Sequence, residues 1–393
     1  MFKKIFSTPK AKMYGIVASA LVLFLLIFII VTVSIPDKGR LRYELKMDGT
    51  YEVVDIKDLY RGGIFMKKKL VIPSEYDGKP VTSIKKIDSL DLKEIVLPNT
   101  IKNITSGCFI GMTSLEKINI PEGVQKIGYN AFANCTNLKS ITFPTSVTEI
   151  SDRAFYMSGL TEVKIPSSIK KIGSHAFESC KNLEKVELDF ENTELGVSTF
   201  EQTKFSEKIY AENNGYFIVN KVLYGIKIDE SKQEYTKKDG YRVIIPEGVE
   251  VIGNGVFNEN TNVAYVSLPS TLRKINKNAF MLIDAQGKNK IKAISFKNCT
   301  FEIDKEAVVD CTMLKAVVYE MSKEEINTTN LEDTPLEKLN VVYLNEGNYF
   351  VDVKLSKDAT ELTTLSFDMN EFKPYRLVDG QKEYFNTSKY KFE

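Results

Sequence analysis

The sequence predicts a mainly β repeat solenoid preceded by one transmembrane helix, and three observations carry that prediction. LEKINIP returns as LKSITFP and LTEVKIP, with Leu115, Leu138 and Leu160 opening the copies 23 and then 22 residues apart. Between the copies runs an aromatic column, Phe109, Phe132, Phe155, Phe177 and Phe200. A fixed period in the twenties marks a solenoid, because one such unit cannot bury its apolar face except against its neighbours. The third observation is YGIVASALVLFLLIFIIVTVSI, residues 14–35, which carries no charge across 22 residues.

Taken in order, residues 1–13 form a short tail holding Lys3, Lys4, Lys10 and Lys12. As a helix, residues 14–35 would span about 33 Å, enough for a hydrocarbon core of ~30 Å. A cleaved signal peptide would have a shorter apolar core of roughly 7 to 15 residues, so the segment reads as an uncleaved signal-anchor. Lysines precede it and Asp37 follows it, which puts the tail in the cytoplasm and the rest outside a cell membrane crossed once. Residues 37–68 read as an amino-terminal cap built on a hairpin around Asp48-Gly49.

The array fills residues 69–344. Its leucine column is Leu92, Leu115, Leu138, Leu160 and Leu183; after an interruption the period resumes at Pro246 and Pro269, Phe257 and Phe280, and ends on Leu314 and Leu336. Residues 205–240 break the period and read as an insertion that emerges from one face, with a hairpin from Tyr216 to Val219 and Val222 to Gly225. Residues 345–393 lose the pattern and read as a small β module, a cap or a separate domain, around an Asp379-Gly380 turn.

With the columns laid out, the chain resembles the BspA-type leucine-rich repeat family, whose consensus runs as an IP turn followed by GV-x-x-IG-x-x-AF-x-x-C-x-x-L. PEGVQKIGYNAFANCTNLKSITF, residues 121–143, follows it closely, and VIPSEYDGKPVTSI is similar to the family's first coil. The resemblance covers about Lys69 to Leu344. It implies a curved solenoid with a parallel sheet on the concave side and short helical turns, a bacterial or protist cell surface, and adhesion or protein binding. The cysteine column is kept at Cys135, Cys180 and Cys311 but becomes Met112, Ser158, Thr203, Asn260 and Ile283 elsewhere.

Composition removes several function classes. The net charge is +1, and without the four amino-terminal lysines 49 basic residues face 52 acidic ones, so nothing points to nucleic acid. His175 is the only histidine and falls in a variable slot shared with Asn130 and Arg153; imidazole or thiolate metal sites lack ligands. No cofactor loop and no G-x-S-x-G is present. Cys135 and Cys180 share a column two coils apart, about 10 Å at ~4.8 Å per stacked strand, which exceeds the ~7 Å reach of a disulfide. Buried free thiols are therefore expected, Cys108 and Cys311 included, while Cys299 lies off the columns. The chain reads as non-catalytic.

The concave strands supply the candidate binding face. In L-x-x-I-x-I the aliphatics point inward and the residues between them face out. This exposes Lys117, Asn119, Thr142, Glu162, Lys164, Lys185, Glu187, Tyr265 and Ser267, toward a protein or surface glycan. The competing readings are a structural spacer that presents residues 345–393, and a hydrolase placed in those same residues.

Overall fold

A computed structural model describes residues 38–56, 68–89, 91–229, 240–258, 262–281, 290–297, 301–320, 333–345, 348–353, 363–369 and 373–393, with the single residues 260, 331, 359 and 361. The expected anchor, 14–35, and Cys299 lie outside the described residues. Among those described, no helix is long and apolar enough to cross a membrane.

Most coils lay down two short strands, and these pair in parallel with their counterparts one period away. On the L-x-x-I side the segments form two short ladders, Lys69–Val71, Glu94–Val96 and Lys117–Ile118, and Glu162–Lys164 with Lys185–Glu187, the second extended by a bridge from Thr142 to Lys164. A longer ladder takes the other segment of each coil, from Tyr51–Ile56 and Lys79–Ile84 through Lys126–Ile127 and Glu149–Ile150 to Glu194–Leu195. About ten turns stack in this way. The apolar columns lie between the ladders. Phe109, Phe132, Phe155, Phe177 and Phe200 stack with ring centroids 5.2, 5.1, 5.2 and 5.4 Å apart, all of them buried. That spacing is close to the ~4.8 Å strand separation, so each ring meets its copy directly.

A backbone pattern sets the rings in place. The residues two before and two after each phenylalanine have left-handed backbone: Gly107 and Gly111, Asn130 and Asn134, Arg153 and Met157, His175 and Ser179, Ser198 and Gln202. In the first four of these coils the N–H groups of the triplet, the phenylalanine and its two left-handed flanks, all donate to the next coil. Asn130, Phe132 and Asn134 reach the carbonyls of Asp152, Ala154 and Tyr156 at 3.3, 2.7 and 2.8 Å. The recurring left-handed residues turn these peptides the same way, which aims their N–H groups along the stack and satisfies them there. His175 and Asn134 therefore occupy left-handed positions of the repeat backbone, and the His175 ring meets the Glu178 carboxylate at 2.5 Å.

Among the described residues, Cys108, Cys135 and Cys180 are buried free thiols, and Cys311 is half-buried. The conserved slot has a mechanical use: the thiols of Cys135, Cys180 and Cys311 donate to the carbonyls of Phe109, Phe155 and Phe280 at 3.2, 3.0 and 3.3 Å. Burial pushes the Cys135 thiol up to about 12 and the Cys180 thiol up to about 11.

The period breaks after Thr203, and there the structure departs from an insertion that leaves one face. Thr203, in the cysteine slot, caps the helix Lys204–Glu212 through a reciprocal pair with Ser206. The hairpin Tyr216–Val219 and Val222–Ile226 follows, but it is sewn into the stack: Val222 and Leu223 pair in parallel with Val251 and Ile252. Phe217 joins the first hydrophobic core, whereas Leu223 and Ile226 begin the second. The hairpin is a coupling between two blocks of coils, because its two faces carry apolar residues for both.

Both ends are closed by hairpins. Leu41–Leu45 and Tyr51–Ile56 pair antiparallel around the Asp48-Gly49 turn, where Gly49 has φ of 79°, and Tyr51–Ile56 then pairs with the first coil. At the other end Tyr241–Ile244, Val263–Leu268, Ala293–Phe296, Ala316–Tyr319 and Asn340–Asn345 run parallel. The same sheet continues antiparallel through Asn348–Val353, Thr363–Asp368, Lys373–Val378, Gln381–Asn386 and Lys391–Phe392. The tail is thus an extension of the repeat sheet.

Candidate interaction face

The outward side of the L-x-x-I segments differs between the two blocks. In the first block Lys117, Thr142, Glu162, Lys164, Lys185 and Glu187 are exposed, as their place between inward aliphatics requires. Successive strands alternate in sign. Lys69 pairs with Glu94 at 2.8 Å and Lys164 with Glu187 at 3.0 Å, while Glu162 stands in register beside Lys185. Exposed pairs of this kind contribute about 0–1 kcal/mol each, so the fold does not require them. Lys93 donates to Glu116, and that bond holds the Glu116 carboxyl below its usual range.

Asn119 is exposed as well. Its amide donates to the carbonyl of Leu97 at 2.9 Å and accepts from the Leu97 N–H at 2.8 Å, which leaves it a second N–H and a second lone pair.

In the second block the outward column is covered. Ala293, Ala316, Val318 and Val342 form one apolar cluster with Val351, Phe367 and Phe385 of the carboxy-terminal strands, and Tyr265 packs against it. The Tyr265 hydroxyl donates to the carbonyl of Met369 at 3.4 Å. The expectation that Tyr265 and Ser267 offer themselves to a ligand does not survive this packing. Ser267 is 2% exposed and donates to a carboxylate oxygen of Glu320 at 2.8 Å. Ser295 and Arg242 donate to that same oxygen at 2.5 and 3.1 Å, so three neighbouring strands converge on one half-buried acid.

Sequence reasoning missed Arg242, Glu320 and the covering strands. A signal was present: the outward column passes from Lys117, Glu162 and Lys185 to Ala293, Ala316 and Val318, and small apolar residues in a row fit a covered surface better than a wet one. Among the described residues, no group of three or more His, Cys, Asp or Glu is placed to hold a metal ion.

The family model for the BspA type leucine rich repeat region matches six copies, over residues 87–227 and 231–350. Among solved structures, a leucine-rich repeat protein from Bacteroides ovatus ATCC 8483 is similar at 23% identity over 78% of this chain and 75% of its own, with a TM-score of 0.41. The pneumococcal vaccine antigen PcpA is similar at 17% identity, over 83% of this chain and 90% of its own, TM-score 0.32. A leucine rich cell surface protein from Faecalibacterium prausnitzii A2-165 is similar at 18% identity, over 78% and 94%, TM-score 0.27. No curated protein matches the chain.

Proposed function

The chain belongs to the BspA-type leucine-rich repeat family, and from that premise we propose that it is a non-catalytic recognition protein, tethered to the cell membrane by residues 14–35, that binds a protein partner on the first block's open strand face. One observation carries the reading: Lys117, Glu162, Lys164, Lys185 and Glu187 stand exposed on the outward side of the L-x-x-I segments, whereas the matching column of the second block is already occupied by the chain's own strands. Extended strand faces are the surfaces that solenoids offer to partners. Residues 14–35 support the tether through their length and lack of charge.

The test uses the full chain displayed on cells, with a photo-crosslinking residue at Lys117, Lys185 or Ser295. The reading expects one partner captured from the first two positions and not from Ser295, with capture lost when Lys117, Lys185 and Glu187 are all changed to Ala. Undiminished capture by that triple variant contradicts it. The matched charges favour a second reading, a spacer whose coils bind nothing. In that case deletion of one whole coil, residues 138–159, leaves function intact.

A further inference from the structure

Where the repeat breaks, the ladder ending at Glu194–Leu195 and the one opening at Val222–Ile226 are separated by a cleft of about 640 Å3. This falls in the ~300–1,000 Å3 range of small-ligand sites. In an unbroken stack the next coil's strand would fill that space. Here one wall is the turn running from Phe190 to Leu195, and the other is a row contributed by successive coils of the second block, Val251, Gly253, Lys274 and Asn276. Asn254 ties the walls together by donating from its amide to the carbonyl of Leu195 at 2.9 Å. Three lysines, Lys170, Lys274 and Lys277, and three acids, Glu191, Glu194 and Asp304, line the opening. Lys277 is held by Glu306 at 2.9 Å. The apolar share of the lining includes Leu195, Val222 and the half-buried ring of Tyr224.

We propose that this cleft binds a short neutral saccharide. Its polar groups are balanced in charge and mixed in kind: ammonium and amide donors on Lys170, Lys274 and Asn276, carboxylate acceptors on Glu191 and Glu194. Sugar hydroxyls both donate and accept, and a neutral ligand leaves the three lysines and three acids in balance, whereas the apolar face of a pyranose ring matches an aromatic wall such as Tyr224. A phosphate or nucleotide would meet three carboxylates, and none of the lining residues opens a helix. An added peptide strand would find only the two residues Glu194–Leu195 at that edge, with the Leu195 carbonyl already engaged. The proposal is independent of the partner-binding reading, since the cleft lies on the other ladder.

The experiment takes the full-length protein in detergent micelles on a printed array of neutral hexose and N-acetylhexosamine oligosaccharides, with sulfated and phosphorylated saccharides alongside. We expect at least one neutral oligosaccharide to bind. The Lys274→Ala/Asn276→Ala variant should weaken it about tenfold, the loss of one or two hydrogen bonds, with an unchanged melting temperature. Glu194→Ala should weaken it as well, while Lys117→Ala/Lys185→Ala leaves it unchanged. The proposal is overturned if no neutral saccharide binds, if the cleft variants bind as well as the unaltered protein, or if only the charged saccharides are retained.

Discussion

The first block presents its strand face to solvent and the second buries the same face under its own carboxy-terminal strands, although the two are built from one repeat. Their interiors are alike: Phe257 and Phe280 stack at 5.2 Å, as do the rings of the first block. The difference lies wholly in the outward column, charged from Lys117 to Glu187 and small or apolar from Ala293 to Val342. Inward residues are fixed by the requirement that coils stack, but outward ones are left free by it. They therefore record what each stretch of face is used for.

Four comparisons break or sharpen that contrast, from the largest effect down. Thr142 and Val318 occupy the same outward column, one exposed and one 2% exposed. Val318→Lys should cost about 3–5 kcal/mol, as expected for a buried charge without a partner, whereas Thr142→Lys should stay within about 0.5 kcal/mol. Urea unfolding of the two variants reads the difference directly. Phe155→Ala and Phe280→Ala should each cost about 3–5 kcal/mol, with no distinction between blocks; a loss below about 0.5 kcal/mol at either would mean an unpacked column.

Thiol chemistry gives a third comparison. Burial raises the Cys135 and Cys180 thiols to about 12 and about 11, above the ~8.5 of a free cysteine. The folded state thus keeps protons that the unfolded state releases. Their contribution is complete below about pH 8.5 and is lost as pH rises through the folded values. In a Cys299→Ser background at pH 8, half-buried Cys311 should react with a maleimide before Cys135 or Cys180, and simultaneous labelling of all three would be contrary. Smallest of all, Arg153 has left-handed backbone with φ of 55°. Arg153→Gly should therefore raise stability by up to about 1 kcal/mol in thermal melts, strain relief partly offset by glycine's entropy.

Much of this was legible in the sequence because the repeat is an internal comparison. The leucine and phenylalanine columns, the Asp48-Gly49 turn and the hairpin strands from Tyr216 could be read from neighbouring residues. The seating of that hairpin was less legible, because Val222 pairs with Val251 across an interrupted period, and the helix just before it, Lys204–Glu212, replaces part of a coil. The candidate face was legible only by half. The contact between Tyr265 and Met369 joins residues 104 positions apart, and no local pattern specifies it. Glu320 belongs to the same class: its three donors come from strands at Arg242, Ser267 and Ser295, and it stands at the end of its own strand, where the repeat pattern says nothing of its partners.

The central claim, one face open and its continuation covered, is tested most directly by placing single cysteines at Thr142 and Ser295 in a chain whose five native cysteines are replaced by Ser or Ala. Native-state maleimide labelling should modify Thr142→Cys at the rate of a free thiol and leave Ser295→Cys protected until denaturant is added. Equal native rates at the two positions would contradict the account.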